Sequence, residues 1–141
     1  MDKKHLRYLN FLEKMAINMD FSCEKTSRFR VASLITIKND IISVGTNNFK
    51  SHPFQTKFQR NEQSIFLHAE TDAIKNALKI VNVEDLSRSV LYVLRVKYED
   101  PSKRKIVWGL SRPCVGCQRA IVTYGIRRVI YSLDESGYEF L

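Results

Sequence analysis

His68-Ala69-Glu70 and, further along, Pro113-Cys114-Val115-Gly116-Cys117 constrain this chain more than anything else in it. One histidine and two cysteines make a ligand set that suits zinc. A structural zinc site normally closes with four protein ligands, whereas a site of three keeps a position for water. The fold must therefore bring two distant segments together. Cys114 and Cys117 are spaced i, i+3, so on a helix both sulfurs point to one side. They fall in the first turn of an expected helix, where the positive end of the helix dipole favours thiolates. His68 opens another. Two helix N-termini and a dication would together acidify a bound water, to a pKa that can fall to about 7. Glu70 then reads as the proton shuttle, and Ala69 is small enough to let a flat group approach the helix start.

Taken alone, each half of the pattern has other meanings. A Cys-x-x-Cys can be redox-active, but thioredoxin-like proteins carry it after the first strand of a βαβ unit, not late in the chain. A fourth ligand, Cys23 or His52, would close the site and make it structural. Otherwise Cys23 reads as a small, partly buried residue at the end of the first helix. An odd count of three cysteines argues against a disulfide framework.

Periodicity places the rest. Residues 3 to 20 put Tyr8, Leu12, Met15 and Met19 on one helical stripe, with Leu9 and Ala16 alongside. Val31 to Ile37 and Ile41 to Asn47 read as a hairpin around Lys38-Asn39-Asp40. Residues 48 to 66 read as a long polar loop. His68 to Val81 carries Ala69, Ala73, Ile74, Ala77, Leu78 and Val81 on one face. Ser89 to Val96 is an apolar run, a strand buried on both faces. Residues 97 to 112, with Pro101 and Lys103-Arg104-Lys105, read as a second loop. Pro113 opens a helix through about Tyr124, with Gly125 ending it. Arg128 to Ser132 is a strand, and Tyr138-Glu139-Phe140 a short return strand after a turn. The order implies one α/β domain over residues 1–141, with a mixed sheet of four to five strands between helices.

Bulk properties exclude some classes. No apolar run approaches the roughly 20 residues that a transmembrane helix needs, and the N-terminus lacks the apolar segment of a secretory signal. A cytoplasmic protein is the expectation. The net charge of +8 favours anionic partners without choosing among nucleotide, RNA and single-stranded DNA.

With these residues in view, the chain resembles the cytidine and deoxycytidylate deaminase superfamily, whose signature is H-x-E followed by P-C-x-x-C. The resemblance covers about residues 28 to 132. It implies a three-layer α/β/α sandwich, Zn2+ on His68, Cys114 and Cys117, and Glu70 as catalytic acid/base. Gly45-Thr46-Asn47 looks like the family's G-x-N, which maps substrate binding to Asn47. The family also implies a homo-oligomer. Two stretches depart from the pattern. Val31-Ala32-Ser33 stands where many members have V-G-A, which puts Ser33 at the floor of the base pocket. A longer basic segment, Glu99 to Leu110, precedes the Pro-Cys pair.

Both departures fall where substrate class is decided. Lys50 and Arg112 are candidates for one phosphate of a free nucleotide. Phe49, Phe54, Phe58 and Trp108, interleaved with cations, would suit a single-stranded nucleic acid instead, or simply anchor their loops on the core. The resemblance points first to deamination of cytosine in a dCMP- or CMP-like nucleotide, giving the uracil product and ammonia. Deamination within single-stranded DNA, RNA or tRNA is the alternative.

Overall fold

The computed structural model describes residues 2–18, 30–47, 68–100 and 105–141. Their elements are α1 (Lys3–Ile17), β1 (Arg30–Ile37), β2 (Asp40–Thr46), α2 (Ala69–Ala77), α3 (Val83–Leu86), β3 (Ser89–Tyr98), β4 (Ile106–Gly109), α4 (Val115–Thr123), β5 (Arg128–Ser132) and β6 (Tyr138–Phe140). The strands form one six-stranded mixed sheet in the order β2-β1-β3-β5-β6, with β4 also on β3. Only the β3–β5 pairing is parallel; the others are antiparallel.

β3 is the centre of this sheet. β1 runs along one edge of it from Ser89 to Val96. β5 and β4 share the other edge, pairing with Val90–Val93 and Arg95–Tyr98 in turn. A strand so placed is buried on both faces, and its side chains alternate accordingly. Tyr92, Leu94 and Val96 pack with Tyr8, Leu9, Leu12 and Ala16 of α1. Leu91 and Val93 pack with Ala73, Ile74 and Ala77 of α2, Leu86 of α3, and Ala120 and Ile121 of α4. The result is helix, sheet, helix: the three layers that the sequence leads one to expect.

The structure departs from the sequence reading at the segment 97–112. Its described residues are not a plain loop. β3 continues to Tyr98, and β4 returns antiparallel in the register Arg95↔Gly109, Val96↔Trp108, Lys97↔Val107. Three strand-formers, Ile106-Val107-Trp108, suffice for this once they can pair with a long central strand. The sheet consequently has six strands, more than the four to five expected. Trp108 belongs to β4 and is spoken for. Its indole Nε1 donates to Glu13 Oε2 at 2.6 Å, and its ring packs on the α1 side of the core. Of the two readings of this aromatic, the anchor is the one found. Two smaller differences concern helices. α3 is a short addition closed by a capping box on Asn82 and Asp85. Pro113 precedes the N-cap of α4 instead of occupying its first turn.

α2 is held unusually close to the sheet. Its small residues Ala69, Ala73 and Ala77 face β1 and β2 and are fully buried. Ser33 Oγ donates to the Ala69 carbonyl at 2.6 Å, and Ser43 Oγ donates to the Ala73 carbonyl at 2.8 Å. Thr46 N donates to Asp72 Oδ2 at 3.1 Å. Gly45 makes the approach possible. A Cβ there would overlap the Ala69 carbonyl and the Ala73 nitrogen, both backbone atoms that cannot swing aside.

Gly45→Ala is therefore expected to push α2 off the sheet and cost about 1–3 kcal/mol, the range for overpacking a tight interior. Thermal melting would read this as a fall of several degrees. A Tm equal to that of the wild type would show that α2 does not depend on this contact.

Candidate active site

α2 and α4 both begin at the same end of the sheet. His68 is the N-cap of α2, with extended backbone (φ −86°, ψ 160°), and its carbonyl starts the helix by accepting from Asp72 N at 2.9 Å. Cys114 is the N-cap of α4, also extended (φ −69°, ψ 171°), and its Sγ accepts from the Cys117 amide. Cys114 thus caps its helix much as Ser or Asp would, whereas the His68 side chain makes no cap hydrogen bond. The side chains of both cap positions point toward each other. His68 Nδ1 lies 3.3 Å from Cys117 Sγ and 3.5 Å from Cys114 Sγ. The three ligand atoms all fall within 4.8 Å of one another.

This arrangement fits zinc. Tetrahedral bonds of about 2.0–2.3 Å hold neighbouring ligand atoms roughly 3.5–3.8 Å apart, close to the separations seen. Among the described residues, no other group of His, Cys, Asp or Glu is placed to hold a metal. His68, Cys114 and Cys117 form the Zn2+ site, as the sequence reading has it.

Electrostatics bear the marks of three ligands crowded together. The Cys114 thiol, hydrogen-bonded by Cys117 and paired with His68, is pulled down to about 4. Cys117 is driven well up by that same hydrogen bond and by burial. The hydrogen bond with Cys114 raises His68. Glu70 is 6% exposed, and burial raises its carboxyl above the ordinary range.

A cleft of about 240 Å³ opens over these groups, lined among others by His68, Ala69, Glu70, Cys114, Asn47 and Arg112. Thus four of the expected contacts, Asn47, Ala69, Glu70 and Arg112, meet beside the metal ligands. Asn47 Oδ1 accepts from Val31 N at 2.9 Å, which commits the carbonyl side of its amide. Arg112 donates to Tyr131 Oη at 3.1 Å, and Tyr131 donates on to Glu139 Oε2 at 3.1 Å. Ser33 is placed differently. It is fully buried beneath Ala69 and supports α2 from within the sheet. Lys50 lies outside the described residues, with Phe49, Phe54, Phe58, Cys23 and His52. The cleft also takes in Val31, Arg95, Leu110 and Ser111, of which the sequence reading named Val31 and Leu110, neither as a contact. A signal for Arg95 was present: two-residue alternation along β3 puts it on the same face as Leu91 and Val93.

Comparison with known proteins agrees with the geometry. The family model described as the cytidine and deoxycytidylate deaminase zinc-binding region matches residues 7–133. The fold is similar to that of the dCMP deaminase from the cyanophage S-TIM5 in its apo form, with a TM-score of 0.58 at 19% identity, covering 94% of this chain and 85% of that one. For the same enzyme in complex with dCMP and dUMP the TM-score is 0.56 at 17% identity, covering 94% and 83%. No curated protein sequence matches.

Because Cys117 and His68 both hold protons more firmly than usual, zinc must displace protons to bind. Affinity should therefore rise with pH, and binding should release protons in calorimetry run in buffers of different ionisation enthalpy. Elemental analysis should find about one zinc per chain. Cys117→Ala should lose the metal and melt at lower temperature. Stoichiometric zinc retained in that variant would contradict the ligand set.

Proposed function

The chain belongs to the cytidine and deoxycytidylate deaminase family, and from that premise we propose that it hydrolytically deaminates cytosine in a free nucleotide, dCMP- or CMP-like, to the uracil product and ammonia. One observation carries the reading. A buried carboxyl, Glu70, stands two residues from one zinc ligand and shares a small cleft with all but the innermost of them. Zinc held by His68, Cys114 and Cys117 would supply a water of lowered pKa. The rest falls to the protein. Glu70 takes the water proton and delivers it to the ring nitrogen and later to the departing amine. The raised affinity of Glu70 for a proton suits a group that must hold one and release it again in each turnover.

The other cleft residues orient the substrate. With Oδ1 committed to Val31, Asn47 has its amide N–H groups to offer, as donors to a hydroxyl or carbonyl. Ala69 leaves room at the start of α2 for a flat ring. At about 240 Å³ the cleft lies near the lower end of what is common for ligand sites, which suits a small ligand. Arg112, braced by Tyr131, brings a cation to the rim. The two S-TIM5 structures support a nucleotide over a polymer, because that enzyme is a dCMP deaminase of similar fold. The commitment of Trp108 to Glu13 removes one aromatic that a single-stranded nucleic acid would need for stacking.

Glu70→Gln should keep zinc and fold yet lose roughly 10²- to 10⁴-fold in kcat or more, since one group serves more than one proton transfer. Turnover near the wild-type rate would remove the mechanism. A mass-spectrometric panel of nucleosides, mono- and triphosphates, single-stranded DNA, RNA and tRNA tests the substrate class. Deamination of dCMP or CMP with only a shallow salt dependence is the expected result. Deamination of an oligonucleotide alone, with affinity falling by a log–log slope of roughly −0.7 per contacted phosphate, would establish the polynucleotide reading instead.

A further inference from the structure

Arg95 occupies a position where packing alone would place an apolar residue. It follows Leu91 and Val93 on the α2–α4 face of the central strand, both part of the core there. Its neighbours across the sheet are Val31 on β1 and Gly109 on β4. Side chains of directly paired residues share a face. A row therefore runs Val31, Arg95, Gly109 across the sheet, and Val31 and Arg95 both line the cleft. Gly109 provides the bed for the arginine. An added Cβ there would come 3.1 Å from Arg95 Cδ, 3.2 Å from Cγ and 3.3 Å from Nε. The stem of Arg95 thus lies against the bare backbone of β4. Val31, at the other end of the row, is also the residue whose amide fixes Asn47.

The charges of the cleft give this placement a purpose. Among the described residues, Arg95 and Arg112 bring guanidinium groups to it. Arg112 is tied to Tyr131 and through it to Glu139. A second guanidinium at such a site suits an anionic ligand, since its planar fork can grip two oxygens of a phosphate at once. Gly109 lies in the segment Glu99 to Leu110, where the sequence departs from the family pattern, and Arg95 on the strand that pairs with it.

We propose that Arg95, seated over Gly109 of β4, is a specificity-determining residue that binds the phosphate of a nucleoside monophosphate and so selects it over the bare nucleoside. The proposal rests on the nucleotide-deaminase reading for the identity of the ligand, but its geometry is independent of turnover.

The test is binding to the intact zinc-loaded protein, with dUMP, deoxyuridine and inorganic phosphate as probes in calorimetry. The wild type should bind dUMP at least tenfold more tightly than deoxyuridine. Arg95→Met, which keeps the stem and removes the fork, should reduce that preference tenfold or more. Arg95→Lys should restore part of it, as a point charge without the fork. Gly109→Ala should reduce it as well, by displacing the arginine stem. Zinc content and thermal melting of each variant separate this from a failure to fold; should Arg95→Met not fold, Gly109→Ala and Arg95→Lys decide alone. Equal affinity of the wild type for dUMP and deoxyuridine would overturn the proposal, as would a preference unchanged in Arg95→Met. If the wild type prefers dUMP through Arg95 but deaminates neither dCMP nor CMP, the phosphate site stands and the nucleotide-deaminase reading falls.

Discussion

Two helix N-termini face each other across one end of the sheet, and the site depends on that opposition. Each N-terminus leaves backbone N–H groups without helical partners and carries a partial positive charge. In α2 and α4 the cap positions are taken by a histidine and a cysteine, whose side chains turn toward the opposite helix. A positive helix end favours thiolate in the first turn, and a zinc ion held by His68, Cys114 and Cys117 would tie both helices together. Folding and metal binding are two descriptions of the same contact. This also accounts for the opposite displacements of the two thiols. The hydrogen bond between the two sulfurs lowers Cys114 and raises Cys117.

Opposed helix ends require exact spacing from the layer beneath, and that spacing is set by small groups. Gly45, Ala69 and Ala73 let α2 sit with its backbone against β2. Ser33 and Ser43 then reach up from β1 and β2 to carbonyls inside the helix. Hydrogen bonds of this kind contribute only about 1 kcal/mol each, yet they fix a height that apolar packing would leave adjustable. His68 and Glu70, at the start of α2, inherit their position from this contact. Function therefore depends on residues that never meet a substrate.

Much of this was legible in the sequence. The metal ligands were, because their spacing is local and their chemistry narrow. So were α1, α2, the β1–β2 hairpin and the buried β3, because periods of 3.6 and 2 survive in the residues themselves. The turn at Lys38-Asn39 even shows the positive φ angles of 53° and 70° that a tight two-residue hairpin demands. What stayed hidden depended on pairing across the chain. Ile106-Val107-Trp108 is too short to announce a strand next to Pro101 and a basic cluster. Arg95 at the end of an apolar run reads as the place where a strand surfaces. Alternation along β3 does put Arg95 on the face of Leu91 and Val93, but that a cleft opens at that point follows from the chain folded around it. Ser33 was assigned to the pocket floor by its position in a motif, and its actual depth follows from how closely α2 lies on it.

The β3–β4 hairpin raises a mechanical question, since it lengthens the path between the central strand and Cys114 without disturbing the ligand. Lengthening a loop costs little entropy, about 0.6 kcal/mol per doubling, provided its ends stay fixed. Here the returning end is fixed by two buried serines. Ser111 N donates to the Ser132 carbonyl at 3.0 Å, and Ser132 N donates to Ser111 Oγ at 2.8 Å. Ser111 Oγ donates in turn to the Val93 carbonyl at 2.9 Å, and Ser132 Oγ to that of Gly109 at 2.7 Å. These bonds join β3, the end of β4 and β5 at one point, and they satisfy polar groups that the buried crossing would otherwise strand. The chain leaves that point for Arg112, Pro113 and Cys114 along a fixed course. A hairpin can thus be added on the far side of Ser111, bringing Arg95 a bed and the cleft a new wall, while the metal ligand three residues later stays where α4 needs it.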